Sequence, residues 1–239
     1  GSLTAAGRKR GKKNTYKSNT TPAGAYKAIA HLPLNIVVLE DGPQDDWGDA
    51  LRKQCDGEDE HVRTFNLLNT PASKIVSELD QLNILVVLHA TALQPPLSSC
   101  RDLARTYLHE ADKILRHAAK LGGSSVLITS PSSPLRFTAK LAKLTVDYHW
   151  EDVYRTYDPA KPQDVGRLMI QTNNTAVRYN MYGFRDPTTI PATDAELAPS
   201  DAEYLSDLAG MLLRGAQQHH AVSKRVLTEL MQTSPNDDS

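Results

Sequence analysis

The chain has 239 residues, 40% of them hydrophobic and 23% charged, with a formal net charge of -1 and two cysteines, Cys55 and Cys100. That length suits one domain with terminal extensions; no run approaches the ~18 apolar residues of a membrane span, and no apolar stretch follows the basic N-terminus, so neither a membrane partner nor a signal peptide is expected. Two cysteines are too few for a disulfide framework or a cysteine-rich zinc site, which suits an intracellular protein, cytoplasmic or nuclear, with no metal.

The near-neutral charge hides an asymmetry, because the first acidic residue is Glu40 and the stretch before it holds Arg8, Lys9, Arg10, Lys12, Lys13, Lys17 and Lys27. Residues 1–20, with Gly, Ser, Asn and Thr interleaved, predict a flexible basic arm that offers phosphates an electrostatic partner without sequence readout. Arg8, Lys9, Arg10, Lys12, Lys13 and Lys17 are therefore candidate RNA-binding residues; the alternatives are a solubilising tail or a localisation signal. The Gly1-Ser2 start and the charged ends suggest a domain cut from a larger protein.

Pro22 to His31 predicts a short helix, and Asn35-Ile-Val-Val-Leu-Glu40 is an apolar run of buried-strand length followed by turn residues. A helix is expected from Asp46 to about Cys55, capped by Asp45 or Asp46, then a strand Val62–Leu68 and a helix from Thr70-Pro71 to Leu79. Asn83–His89 is the third strand. Ser98–Leu121 is a long amphipathic helix whose Leu103, Tyr107, Leu108, Ala111, Ile114, Leu115 and Ala118 recur three and four residues apart, ended by Gly122-Gly123. Ser124–Thr129 gives the fourth strand and Leu135 to about Leu144 a helix. Glu151–Tyr157 and Arg167–Thr172 then read as two strands with no helix between them, and Asn173–Ser200 as turn-rich. A helix from Ser200 to about Gln218, with a helical continuation over Val222–Met231 and a frayed tail 234–239, closes the chain.

Strands alternating with helices mark an α/β fold with a doubly wound, mostly parallel sheet in three layers, here with a C-terminal helical extension. The expected organisation is arm 1–20, a Rossmann-like domain 21–173, a turn-rich segment and helices 174–233 packing on it, and tail 234–239. Ligands of such sheets bind beyond the carboxyl ends of the strands, which directs attention to Glu40-Asp41-Gly42 and His89. The aromatic residues Tyr148, Trp150, Tyr154 and Tyr157 could stack on bases, or alternate between core and surface along a strand.

Ala25-Tyr26-Lys27, Val38-Leu39-Glu40-Asp41-Gly42-Pro43 with Trp47, and Leu121-Gly-Gly-Ser-Ser-Val-Leu-Ile128 follow the order and local wording of one family. Over roughly Thr21–Asn173 the chain resembles the FtsJ-like S-adenosylmethionine-dependent RNA 2'-O-methyltransferases. The resemblance implies Lys27 as a catalytic lysine and Glu40, Asp41, Gly42 and Trp47 around an S-adenosylmethionine cofactor. The family's other catalytic positions fall near Leu88 or His89, Thr129 or Ser130, and Gly166 or Arg167, so the set is reduced to Lys27 with His89 as a substitute base. The turn Gly42-Pro-Gln-Asp-Asp-Trp47 lacks the second glycine that admits a ligand close to the backbone. A catalytically degenerate RNA-associated domain, a pseudoenzyme, is the reading this favours; a divergent active methyltransferase is the alternative.

The middle of the chain also resembles SGNH or GDSL hydrolases, with Glu40-Asp41-Gly42 at the Gly-Asp-Ser block and Ala198–Tyr204 at the closing block. Gly42 stands at the nucleophile and the closing block has no histidine, so an inactive RNA- or protein-binding module is what that resemblance implies. A β-hairpin at Glu151–Thr172 favours the first family and a helix there the second. A protein partner docking on the C-terminal helices through Leu205, Leu208, Met211, Leu212, Val226, Leu227 and Leu230 requires neither.

Overall fold

The computed structural model describes residues 33–55, 60–79, 84–90, 98–129, 133–153, 169–182 and 201–233. The predicted arm, the helix at 22–31, Lys27, Tyr154, Tyr157 and the tail lie outside them. Residues 33–219 form one compact unit, and the described residues 220–233 belong to another.

The first unit is α/β. Its elements run β1 (Leu34–Glu40), α1 (Asp46–Gln54), β2 (Glu60–Asn66), α2 (Ala72–Glu78), β3 (Ile84–Ala90), α3 (Ser98–Lys120), β4 (Ser124–Thr129), a 3-10 turn (Pro134–Phe137), α4 (Ala139–Asp147), β5 (Glu151–Asp152), β6 (Met169–Thr172) and α5 (Thr175–Tyr182). A last helix, α6 (Asp201–Gln232), starts in this unit and continues into the other. The described strands form one sheet in the order β2-β1-β3-β4-β6-β5, compatible with a Rossmann-like layout. β1 pairs in parallel with both β2 and β3, and β3 with β4, whereas β6 runs antiparallel between β4 and β5.

The apolar runs decide which strands are central. Every residue of β1 and β3 is buried, as continuous hydrophobic strands covered on both faces must be. Alternate side chains feed two apolar clusters. Val37, Leu39, Val86, Leu88 and Leu127 join Ile75 of α2, Tyr107 and Leu108 of α3, and Leu144 of α4. Ile36, Val38, Val87, Val126 and Ile128 join Trp47 and Leu51 of α1, Val177 and Met181 of α5, and Leu208 and Leu212 of α6.

Several bounds differ from the sequence-based expectation, β2 among them, which spans Glu60–Asn66 rather than Val62–Leu68. The predicted helix from Leu135 divides into the 3-10 turn and α4, because Thr138 is extended and its hydroxyl accepts from Leu141 N to start a new helix. The segment expected to be turn-rich contains α5, started by Asn174, whose Oδ1 accepts from Val177 N at 3.0 Å. The helix expected from Ser200 to about Gln218 and its expected continuation over Val222–Met231 are one helix, α6. Leu208 and Leu212, expected as partner contacts, are consumed by the core; Val226 and Leu230, further along α6, are exposed.

Candidate functional site

The chain runs outward from β1 to β2 and returns past β1 to β3, so the connections leave the ends of β1 and β3 in opposite directions. This is the topological switch point at which α/β sheets open a crevice. In-register pairing sets Glu40, the last residue of β1, directly beside His89. His89 Nδ1 lies 2.5 Å from Glu40 Oε2, a distance at which one proton bridges the two groups. Trp47, in the first turn of α1, presents its ring to His89 edge-on, with centroids 5.9 Å apart and planes at 60°. Glu40, His89 and Trp47 are 0%, 5% and 1% exposed, so the three side chains are buried together at the ends of these strands.

Burial holds the Glu40 carboxyl above its ordinary range, against the opposing hydrogen bond and charge of His89. Its second oxygen, Oε1, is buried and has no hydrogen-bond partner among the described residues. From the opposite face, Tyr107 donates its hydroxyl to the carbonyls of Leu39 at 2.9 Å and His89 at 3.3 Å, fastening the ends of β1 and β3 together. Complete burial drives the Tyr107 phenol far above its usual pKa, so it remains a proton donor. The sequence shows Tyr107 only as part of an apolar stripe; its hydroxyl role follows from the general need of a buried tyrosine for an acceptor.

The turn after β1 is held by its own side chains. Asp41 is buried and accepts from Gln44 Nε2 at 3.3 Å, and Gly42 is buried beneath the same glutamine. Asp45 occupies the capping position of α1 but makes no side-chain cap. It accepts instead from Thr64 Oγ1 at 2.5 Å and Arg52 Nη1 at 2.7 Å, with Arg52 also reaching Asp49. The expected Asp45 cap is thus replaced by a tie between α1 and β2. Gly48 makes room for this tie, since a Cβ there would lie 2.0 Å from Asp45 Oδ1 and 2.3 Å from Thr64 Oγ1.

The aromatic pair also has internal employment. Tyr148 and Trp150 stack on each other at 6.0 Å, Trp150 Nε1 donates to Ser125 Oγ at 2.7 Å, and Tyr148 donates to Asp112 Oδ1 at 2.7 Å. Asp112 also accepts from Lys140 Nζ at 2.8 Å and Arg116 Nη2 at 3.1 Å; together with Tyr148 these partners outweigh its burial and hold its carboxyl below the usual range. This cluster joins α3 to α4, and the charge run of an ordinary helix face gave no sign of it.

Of the expected site residues, Glu40, Asp41, Gly42, Trp47 and His89 lie together at the ends of β1 and β3. Lys27 and the six cations of the arm, Arg8, Lys9, Arg10, Lys12, Lys13 and Lys17, are outside the described residues. No helix among the described residues is long and apolar enough to cross a membrane, and no group of three metal-ligating side chains occurs among them. No family model matches the chain, and no curated protein matches it in sequence.

Proposed function

We propose that the chain is an RNA-associated, methyltransferase-like domain on a three-layer Rossmann scaffold whose cofactor crevice is closed, leaving RNA binding without methyl transfer. The observation that carries this reading is the buried Glu40–His89 contact at the switch point. In the resembled family the acid at this point belongs to the cofactor motif; here an imidazole already holds it and Trp47 packs against that imidazole. The antiparallel β6 beside β4 supports the methyltransferase type of sheet over the hydrolase type.

A second reading, a divergent active enzyme, is favoured by the same pair, because a carboxylate that orients an imidazole is the arrangement of a general base. Calorimetry on the full chain with S-adenosylmethionine and with a short RNA separates the two. RNA binding with no heat from S-adenosylmethionine is the expected result. Cofactor binding accompanied by methyl transfer to ribose establishes the second reading, and silence toward both ligands removes both.

A further inference from the structure

Within residues 33–219, the buried side-chain atoms lacking any hydrogen-bond partner among the described residues are Glu40 Oε1, Thr129 Oγ1 and Arg136 Nη1. Native interiors leave few such atoms, and each costs on the order of 1–3 kcal/mol or more when it is charged. Their placement is not scattered. Glu40 ends β1, Thr129 ends β4, and Arg136 sits in the 3-10 turn that follows β4, so the unsatisfied capacity collects along the carboxyl edge of the parallel strands. That is the edge at which α/β sheets meet ligands.

Two of the three lie on adjoining segments. Thr129 pairs in register with Ala90 at the end of β3, and Ala90 and Leu135 share one apolar cluster with Leu127, two residues before Thr129 on the same face of β4. Ser133 fixes the turn against this edge: its hydroxyl donates to Ala90 O at 3.3 Å and accepts from Leu135 N at 3.4 Å. The neighbouring Arg136 is half-buried, forms no ion pair among the described residues, and has one terminal nitrogen fully enclosed. A guanidinium can only donate, whereas a hydroxyl can donate or accept, so a negatively charged acceptor is a partner that serves both at once. At the same edge of the sheet, the first two turns of α3 carry exposed Arg101 and Arg105 with only Asp102 between them in charge, which disfavours a cationic occupant.

We propose that Thr129 and Arg136, held in place by Ser133, form a phosphate-binding site at the carboxyl ends of β3 and β4. Thr129 Oγ1 donates to one phosphate oxygen and the Arg136 fork to another, and binding satisfies both orphaned groups at once. The site goes beyond the functional reading above and is independent of it, since it needs neither a methyl donor nor the basic arm.

The test is thermal unfolding of the full chain in inorganic phosphate against acetate at equal ionic strength, and in short RNAs bearing a 5'-phosphate or a 5'-hydroxyl. Phosphate is expected to raise the midpoint and acetate to leave it unchanged. Arg136→Gln and Thr129→Val should each abolish the rise, with Arg136→Lys retaining part of it and circular dichroism confirming the fold. A purely structural role predicts the reverse pattern: both substitutions remove an unsatisfied buried atom, raise the basal midpoint, and leave any phosphate response as it was. That pattern, an equal rise in acetate, or no response to phosphate overturns the proposal. A larger effect from the 5'-phosphorylated RNA than from its hydroxyl counterpart supports a terminal phosphate as occupant; equal effects from both RNAs support a backbone diester, and a response to inorganic phosphate alone supports a small free phosphate. A chain without residues 1–18 that loses RNA affinity but keeps the phosphate response leaves this site standing whatever becomes of the RNA reading.

Discussion

At the residue scale the molecule turns on how a carboxylate is kept in the core. Burial raises the Glu40 carboxyl above its ordinary 4.5, so the folded chain binds that proton more tightly than the unfolded chain does. A group with a raised folded-state pKa stabilises fully below its unfolded value, and the benefit is lost as pH climbs through the folded value. Glu40 should therefore contribute a fall in stability from about pH 4.5 upward. Glu40→Gln removes the titration while its amide oxygen can still accept from His89. The unfolding midpoint of the variant, followed across pH 4 to 8, should decline less steeply than that of the parent. Parallel curves would show that Glu40 does not govern the acid side of the profile. Much of this site was legible in sequence, because Glu40 and His89 each end an apolar run and strand ends are where crevices form. Their mutual contact was not, since it depends on the register between β1 and β3, which no local pattern states. Arg136 escaped for a related reason, and Thr129 entered only as a position matched to the resembled family: an orphaned atom is recognisable only after its surroundings are known.

At the element scale, the sheet was readable because β1, β3 and β4 are short apolar runs bounded by turn residues, and such runs have little choice but to be central strands. Helix α5 was not, because its eight residues lie between two asparagines and a stretch rich in glycine and proline. The signal was present in Asn174 as a cap and in Val177 and Met181, four apart and both fully buried. This short helix matters because α6 packs on it at close range. A Cβ on Gly215 would lie 2.5 Å from Val177 Cα and 2.9 Å from Val177 N, backbone atoms that no rotamer change can move. Nearby, Asn180 Nδ2 donates to Met211 O at 2.6 Å and holds the two helices at that separation. Alanine is favoured over glycine in a helix by ~1 kcal/mol, yet forced separation of packed elements costs about 1–3 kcal/mol. Gly215→Ala should consequently lower the free energy of unfolding in a urea titration, with the slope of the transition unchanged. A gain in stability from this substitution would contradict the close approach of α5 and α6.

At the scale of the whole molecule, charge is divided so unevenly that it makes a quantitative claim. A net charge of -1 coexists with six cations and no acid in residues 1–18, so the acidic excess belongs to the remainder of the chain. An RNA held mainly by the arm would release one set of counterions for each phosphate that these side chains neutralise, at a slope of about −0.7 per contact for single strands. Full engagement of Arg8, Lys9, Arg10, Lys12, Lys13 and Lys17 would set that contribution near ~4 in the logarithmic dependence of affinity on salt. Fluorescence anisotropy of a short labelled RNA, titrated with the full chain and with a chain lacking residues 1–18 between 50 and 200 mM salt, a range of about fourfold, measures this difference directly. The deletion should flatten the slope by up to that amount and weaken binding most at low salt. A slope that survives the deletion would transfer RNA contact from the arm to the folded unit, where Arg101, Arg105 and Arg136 are the cations at the carboxyl edge of β3 and β4. In that event a further drop in slope on Arg136→Gln would make the phosphate site and the RNA surface one and the same.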